Sequence, residues 1–279
     1  MKKSNGNDTA CINMKNGVFN LNTMEFLPGG KNPTVEKEMA CNYEPEAKCP
    51  TFMAMLERVL PDVETRKEFQ KACGLVLIDK PIPQKQNIML IRGPKCTGKT
   101  TVLNAISNYA LGEYSSGVES SFLAEYLNAY NWGGISQNLL EIRMVSCQVF
   151  LEDRLQVTFT KQLDDTPLYR VINGIFFPKH KYTLFIEGNL CFLPCGEKTR
   201  HRIKCFPFVV PITTIDRDLD SKLEAEGPGI FNWLLEGMRM VLAEGMTETP
   251  QMLQCKQECI RKMGTRTDCR NELDIKWGE

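Results

Sequence analysis

The chain of 279 residues is long enough to bury a complete hydrophobic core, as one large domain or two smaller ones. Its 34 basic and 34 acidic side chains cancel, which excludes recognition of nucleic acid through an overall positive field. A nucleic-acid partner would have to meet a local basic surface, such as the lining of a pore.

The sequence shows no signal peptide and no apolar run of membrane-spanning length, so we expect a cytoplasmic protein without a membrane partner. Its 12 cysteines are scattered, which predicts reduced thiols. The pairs Cys191/Cys195 and Cys255/Cys259 could suggest a metal, but neither has zinc-ribbon spacing or a matching second pair. We therefore predict structural cysteines at both pairs.

The amino-terminal part predicts a hairpin followed by helices. Residues 1–16 are polar without an apolar period and are expected to be a frayed start. A turn at Asn16 and Gly17, with alternating apolar residues behind it, predicts a hairpin over residues 16–30. Apolar residues at helical spacing then predict helices between residues 50 and 77.

Residues 93–100 match the phosphate-binding pattern G-x-x-x-x-G-K-[ST] at every fixed position. An apolar run at 88–91 predicts a buried strand before this loop, and residues 101–106 predict a helix after it. The glycines let the backbone wrap phosphate groups, Lys99 can neutralise the β- and γ-phosphates, and the Thr100 hydroxyl can bind Mg²⁺. The alternative is a chance glycine turn. The predicted nucleotide-binding residues are Gly93, Pro94, Lys95, Cys96, Thr97, Gly98, Lys99, Thr100 and Thr101.

Apolar strands alternate with helical segments over residues 88–211, which predicts an α/β core with a central sheet. Strands are predicted at 142–147, 182–186 and 203–208. Apolar runs at 168–172 and 175–177 flank Asn173 and Gly174, a pair typical of β-hairpin turns. Farther on, an apolar stripe over 230–241 predicts a core-facing helix, and the mixed charges of 250–279 predict a solvated surface helix.

Two polar positions favour a ring-forming motor over other nucleotide-binding proteins. Asn189 follows a predicted strand, where its amide can orient an attacking water or contact the γ-phosphate. Arg202, with Arg200 as the alternative, precedes the last predicted strand and suits donation to the nucleotide of a neighbouring subunit.

In this order, the motifs resemble the superfamily 3 helicases, most closely the helicase portion of phage, plasmid and poxvirus-type primase-helicases. The resemblance runs from about residue 16 to residue 250 and includes the segments 16–23, 43–50, 161–170, 185–189, 202–208 and 229–237. It implies a P-loop, AAA+-like α/β core with a central parallel sheet over residues 81–212. A hairpin and helical, collar-like region over 1–80 would precede this core, and helices over 213–279 would follow it.

The resemblance implies an ATP- and Mg²⁺-dependent helicase of a phage, plasmid or virus, working as a hexameric ring on single-stranded DNA in the host cytoplasm. Arg202 of one subunit would complete the site of its neighbour, and the 173–174 hairpin would point into the channel. The side chains nearest to the DNA backbone would be Arg170, Lys179 and Lys181. Alternatively, Arg170 pairs with a nearby aspartate and the lysines only solvate a strand end. No segment resembles a primase module, so we expect a separate primase or polymerase, or a missing amino-terminal part.

The chain departs from the family pattern at Gln148, which stands where the family carries its catalytic Walker B glutamate, counted back from Lys161. A glutamine can bond to water but cannot take its proton or present a carboxylate to Mg²⁺. Three interpretations stay open: Glu152 and Asp153 substitute, the glutamine traps ATP, or the protein is a slow or inactive ATPase. The alternative function is therefore an ATP-binding DNA clamp or assembly factor with weak or absent hydrolysis. The predicted catalytic residues are Lys99, Gln148, Asn189 and Arg202.

Overall fold

The computed structural model describes residues 10–78, 87–118, 142–148, 169–172, 175–178, 183–188 and 201–261, with no side chains for 169–178 and 260–261. This part is an α/β protein in which a small antiparallel sheet and two helices precede a five-stranded parallel sheet, and further helices follow it. The predicted fold class is therefore confirmed. Within these ranges, no helix is long and apolar enough to cross a membrane.

Three antiparallel strands open the described chain: β1 (Cys11–Met14), β2 (Gly17–Asn20) and β3 (Glu25–Pro28). The predicted hairpin is confirmed, but the predicted frayed start is wrong for residues 11–14. Ile12 and Met14 of β1 are buried in the core. The buried Asn13 side chain between them donates to the carbonyl oxygen of Val35 at 2.8 Å. The alternation of buried apolar and polar residues in β1 is short, and the polar character of residues 1–16 as a whole concealed it.

Two helices follow, α1 (Pro50–Val59) and α2 (Val63–Gly74), and Leu75–Leu77 extends α2 by a 3₁₀ turn. Asp62 begins α2 by accepting a hydrogen bond from the amide of Thr65 at 2.8 Å. The carboxylate of Glu226 accepts the first amides of α1 in the same way, at 2.8 and 2.9 Å. The predicted helices over 50–77 are confirmed.

The central sheet contains β4 (Ile88–Arg92), β5 (Ser115–Val118), β6 (Met144–Gln148), β9 (Thr183–Glu187) and β10 (Ile203–Pro207). Their spatial order is β10-β4-β9-β6-β5, and every pairing is parallel. Because all carboxyl ends meet at one edge, the residues that follow β4 lie between those that end β9 and β10. Sequence reasoning missed only β5 among these five strands.

Helix α3 (Lys99–Asn104) follows β4 and continues through the π-helical segment Ala105–Leu111. The predicted hairpin at 168–177 is confirmed as β7 (Tyr169–Ile172) and β8 (Ile175–Pro178), which pair antiparallel from Ile172 opposite Ile175. Residues 173–174 of its turn lie outside the described ranges.

The carboxy-terminal helices are α4 (Leu219–Ala225), α5 (Gly227–Glu244) and α6 (Pro250–Arg261). Helix α5 packs so closely on α2 that a Cβ on Gly74 would lie 2.1 Å from the amide nitrogen of Met238. The helix predicted after residue 250 is confirmed as α6, but it is only partly solvated. Its Met252, Cys255 and Cys259 are buried, and the helix packs against β10.

The strands of the central sheet bury both faces. Met89 and Ile91 of β4 belong to the main core, which extends from Ile12 to Met252 through all three predicted regions. Ile88 and Leu90 alternate with them and belong to a smaller cluster on the opposite face. The boundaries near residues 80 and 212 stay a prediction.

Candidate nucleotide-binding site

The phosphate loop leaves the sheet at Arg92, turns through residues 93–98 and enters α3 at Lys99. Its first turn is tight, since a Cβ on Gly93 would lie 1.8 Å from the carbonyl oxygen of Phe208. Cys96 and Gly98 have φ angles of 59° and 78°, in the left-handed region. The loop therefore has the strand, the glycines and the helix that the sequence predicts.

The Lys99 ammonium group is held inside this loop. Its Nζ donates to the carbonyl oxygen of Pro94 at 2.5 Å and to Thr97 Oγ1 at 3.2 Å, and the side chain is buried. Among the residues that the structure describes, no carboxylate forms an ion pair with Lys99. A cation held by neutral oxygens beside a helix start suits an anionic ligand such as phosphate.

The Thr100 hydroxyl contacts a carboxylate that sequence reasoning did not select. Its Oγ1 lies 2.7 and 2.8 Å from the two carboxylate oxygens of Glu187, the last residue of β9. Glu187 is 7% exposed, whereas Thr100 is exposed. The hydroxyl donates a hydrogen bond to Glu187, which leaves the lone pairs of the hydroxyl oxygen available to a cation. The position of Glu187 could have been recognised in the sequence, because an acidic residue directly follows the apolar run of a predicted strand.

Gln148 ends β6 and is the register partner of Glu187 on the neighbouring strand. Paired residues of parallel strands point to the same face and lie about 4.8 Å apart. Gln148 is exposed and is one strand farther from β4 than Glu187. The structure thus brings an amide and a carboxylate together at the edge of the sheet beside the phosphate loop. Glu152 and Asp153 lie outside the described ranges.

Arg202 lies at the opposite end of the sheet from the loop. Ile203 follows it and pairs with Ile88, the first residue of β4, whereas the loop begins after Arg92. At about 3.3 Å per residue, a strand of this length separates Arg202 from its own loop by roughly 16 Å. Asn189, Lys179, Lys181, Arg200 and the side chain of Arg170 lie outside the part that the structure describes.

A comparison with protein families agrees with the motifs in the amino-terminal part of the chain. A family model described as "D5 N terminal like" matches residues 4–61, the region of the first sheet and α1. No curated protein matches the chain at a significant level.

Solved structures of the NrS-1 C-terminal region share the fold. An apo structure of residues 305–718 has a TM-score of 0.58 at 12% identity, over 79% of this chain and 53% of that chain. An A-form apo structure has a TM-score of 0.56 at 13% identity, over 78% of this chain and 53% of that chain. This chain thus spans about half the length of the structures that it matches. At 12–13% identity these structures show a shared fold, beside the amino-terminal match over residues 4–61.

Proposed function

We propose that this chain is the ATP-dependent motor part of a phage, plasmid or virus replication protein, a helicase or translocase that works as a hexameric ring on single-stranded DNA. The contact of Thr100 with Glu187 beside a complete phosphate loop carries this proposal. A chance glycine turn would not require a buried carboxylate at the first turn of the following helix. The relation to primase-helicases supports a role in replication.

The residues of the site fit ATP with Mg²⁺. The loop amides and Lys99 would hold the phosphates, and Thr100 and Glu187 would hold the metal ion. When bound, Mg²⁺ neutralises the charge that develops during phosphoryl transfer. By accepting a hydrogen bond from Thr100, Glu187 would orient the hydroxyl so that its oxygen lone pairs face the metal ion.

We further propose that the two paired residues divide the work of a Walker B acid. Glu187 supplies the carboxylate, and Gln148 on the next strand orients the attacking water with its amide. This division would retain hydrolysis although Gln148 occupies the position of the expected acid. The second candidate function, a DNA clamp with weak or absent hydrolysis, is favoured by the exposed amide of Gln148 at the end of β6.

The position of Arg202 supports a shared site. An arginine roughly 16 Å from its own loop cannot stabilise the phosphates that this loop binds, but it can meet the loop of an adjacent subunit. Asn189 would contact the γ-phosphate, and Arg170, Lys179 and Lys181 would contact the DNA backbone.

ATP hydrolysis with and without single-stranded DNA separates the two candidate functions. The motor predicts turnover that DNA raises and that Lys99→Ala abolishes. The clamp predicts that ATP binds with negligible turnover and that Gln148→Glu restores hydrolysis. A folded protein that fails to bind ATP would contradict both.

Mixing two inactive variants tests the shared site. Lys99→Ala subunits retain the arginine, and Arg202→Ala subunits retain the loop, so an interface between them can be intact. We expect mixed rings to hydrolyse more ATP than either variant alone. A mixture no better than its components would refute donation between subunits.

A further inference from the structure

Three buried cysteines meet on the face of the sheet opposite the main core. Cys205 lies in the middle of β10, and Cys255 and Cys259 lie one turn apart on α6. Their sulfur atoms all lie within 4.8 Å of one another. The distance from Cys205 Sγ is 2.8 Å to Cys255 and 3.7 Å to Cys259.

These distances approach those of a thiolate metal site. Zinc lies about 2.3 Å from each cysteine sulfur, so sulfurs in a tetrahedral site are about 3.8 Å apart. The sulfurs of Cys205 and Cys259 already have this separation at 3.7 Å. Those of Cys205 and Cys255 would have to separate by about 1 Å, which small rotations of the side chains allow. A disulfide would require them to approach instead.

A partly buried positive charge lies beside the cluster. Arg92 Nη1 is 3.5 Å from the carbonyl oxygen of Cys255 and 3.0 Å from the Glu258 carboxylate. Its Nε is buried and has no hydrogen-bond partner within the described residues. Hydrogen bonds from the thiols of Cys205 and Cys259, together with this charge, hold the pKa of the Cys255 thiol below its usual value.

We propose that Cys205, Cys255 and Cys259 bind one Zn²⁺ ion, which fastens α6 to β10. Binding forms three Zn–S bonds, and the protons of the thiols that become ligands leave to solvent, without any change of oxidation state. Three thiolates and Zn²⁺ carry a net charge of −1, and the Arg92 guanidinium beside them favours this negative charge. The fourth position of a tetrahedral site is left for a ligand from outside this cluster.

The position of this site gives it a structural role behind the phosphate loop. Arg92 is the last residue of β4 and directly precedes Gly93. Cys205 lies opposite Leu90 of the same strand in the sheet register. A metal here would therefore fix α6 against the edge strand beside β4. The expectation of purely structural cysteines at 255 and 259 rested on their pair alone, because Cys205 is 50 residues away in sequence.

Metal binding by the purified, reduced full-length chain tests the proposal, with Zn²⁺ for affinity and Co²⁺ as the spectroscopic probe. We expect one equivalent of Co²⁺ to give a sulfur-to-cobalt charge-transfer band that Zn²⁺ displaces. Cys255→Ser and Cys259→Ser should each weaken Zn²⁺ binding on the order of a hundredfold or more, since each removes a ligand. Cys49→Ser is the matched control at another buried cysteine, and it should bind like the wild type. Unchanged Zn²⁺ affinity in Cys255→Ser would overturn the proposal.

Thiol alkylation of the wild type keeps the test decisive if those variants fold poorly. In a urea concentration that opens the metal-free protein, Zn²⁺ should protect Cys205, Cys255 and Cys259 together from a maleimide, and a chelator should expose all three. Equal labelling with and without Zn²⁺ would refute the site. A mass lower by two hydrogens in freshly isolated protein, mapped to a Cys205–Cys255 disulfide, would also refute it.

Discussion

Glu187→Gln should lower activity and raise stability at the same time. The substitution keeps the size of the side chain and an oxygen that can accept the Thr100 hydroxyl, but it removes the carboxylate charge. Glu187 is 7% exposed, and no cation forms an ion pair with it among the described residues. The negative charge of Glu187 therefore destabilises the free protein and becomes favourable when a cation binds.

The size of each effect follows from this environment. Loss of a positioned carboxylate should lower kcat by roughly 10²–10⁴-fold. Burying a neutral amide instead of a charge that has no ion-pair partner among the described residues should stabilise the metal-free protein by about 1–2 kcal/mol. For a chain of this size, that corresponds to a rise of roughly 2–8 °C in Tm.

Steady-state ATP hydrolysis and thermal unfolding without divalent cations measure the two effects in the same preparations. Glu236→Gln is the matched control, because it removes a carboxylate from an exposed ion pair with Arg239 and should change neither quantity. Wild-type turnover in Glu187→Gln would refute the role of Glu187 beside Thr100. A fall in Tm would show that the carboxylate stabilises the free protein, against our reasoning.

Three further predictions concern stability. Gly93→Ala should lower the free energy of unfolding by about 2–4 kcal/mol in urea titrations, because the added methyl group collides with the Phe208 carbonyl oxygen; an unchanged midpoint would contradict this close approach. Glu226→Gln should lower it by about 1–2 kcal/mol, since the charged acceptor of the first α1 amides is lost, and a neutral effect would show that the cap contributes nothing. Burial raises the pKa of the Cys41 and Cys49 thiols to about 12. An unfolded cysteine thiol has a pKa of about 8.5, so the contribution of these two thiols to the free energy of unfolding should be complete below that pH and fall as pH rises toward 12. The free energy of unfolding should fall less steeply with pH in Cys41→Ala, and an equal fall would refute the assignment to Cys41.

Local patterns predicted most of the fold. The strands of the sheet other than β5 have clear apolar runs, and the helix after the phosphate loop follows from its motif. β5 was missed because its sequence, Ser115–Val118, has a single large apolar residue. The buried side of α6 was missed because its buried residues, Met252, Cys255, Lys256 and Cys259, stand among polar and charged ones.

The site was only partly predictable, because sheet order decides which strand ends meet. The phosphate loop is contiguous in sequence and was found complete. Glu187 lies 87 residues after Thr100, and only the position of β9 beside β4 brings them together. Cys205 likewise meets Cys255 and Cys259 only in the folded chain, because α6 packs against β10.

The rate of ATP hydrolysis on single-stranded DNA tests the central claim most directly, measured for the wild type beside Lys99→Ala and Glu187→Gln. We predict DNA-stimulated turnover in the wild type and its loss in both variants, with ATP still binding to Glu187→Gln. A wild type that binds ATP but turns over no faster with DNA than without it would contradict a nucleotide-driven motor at this site.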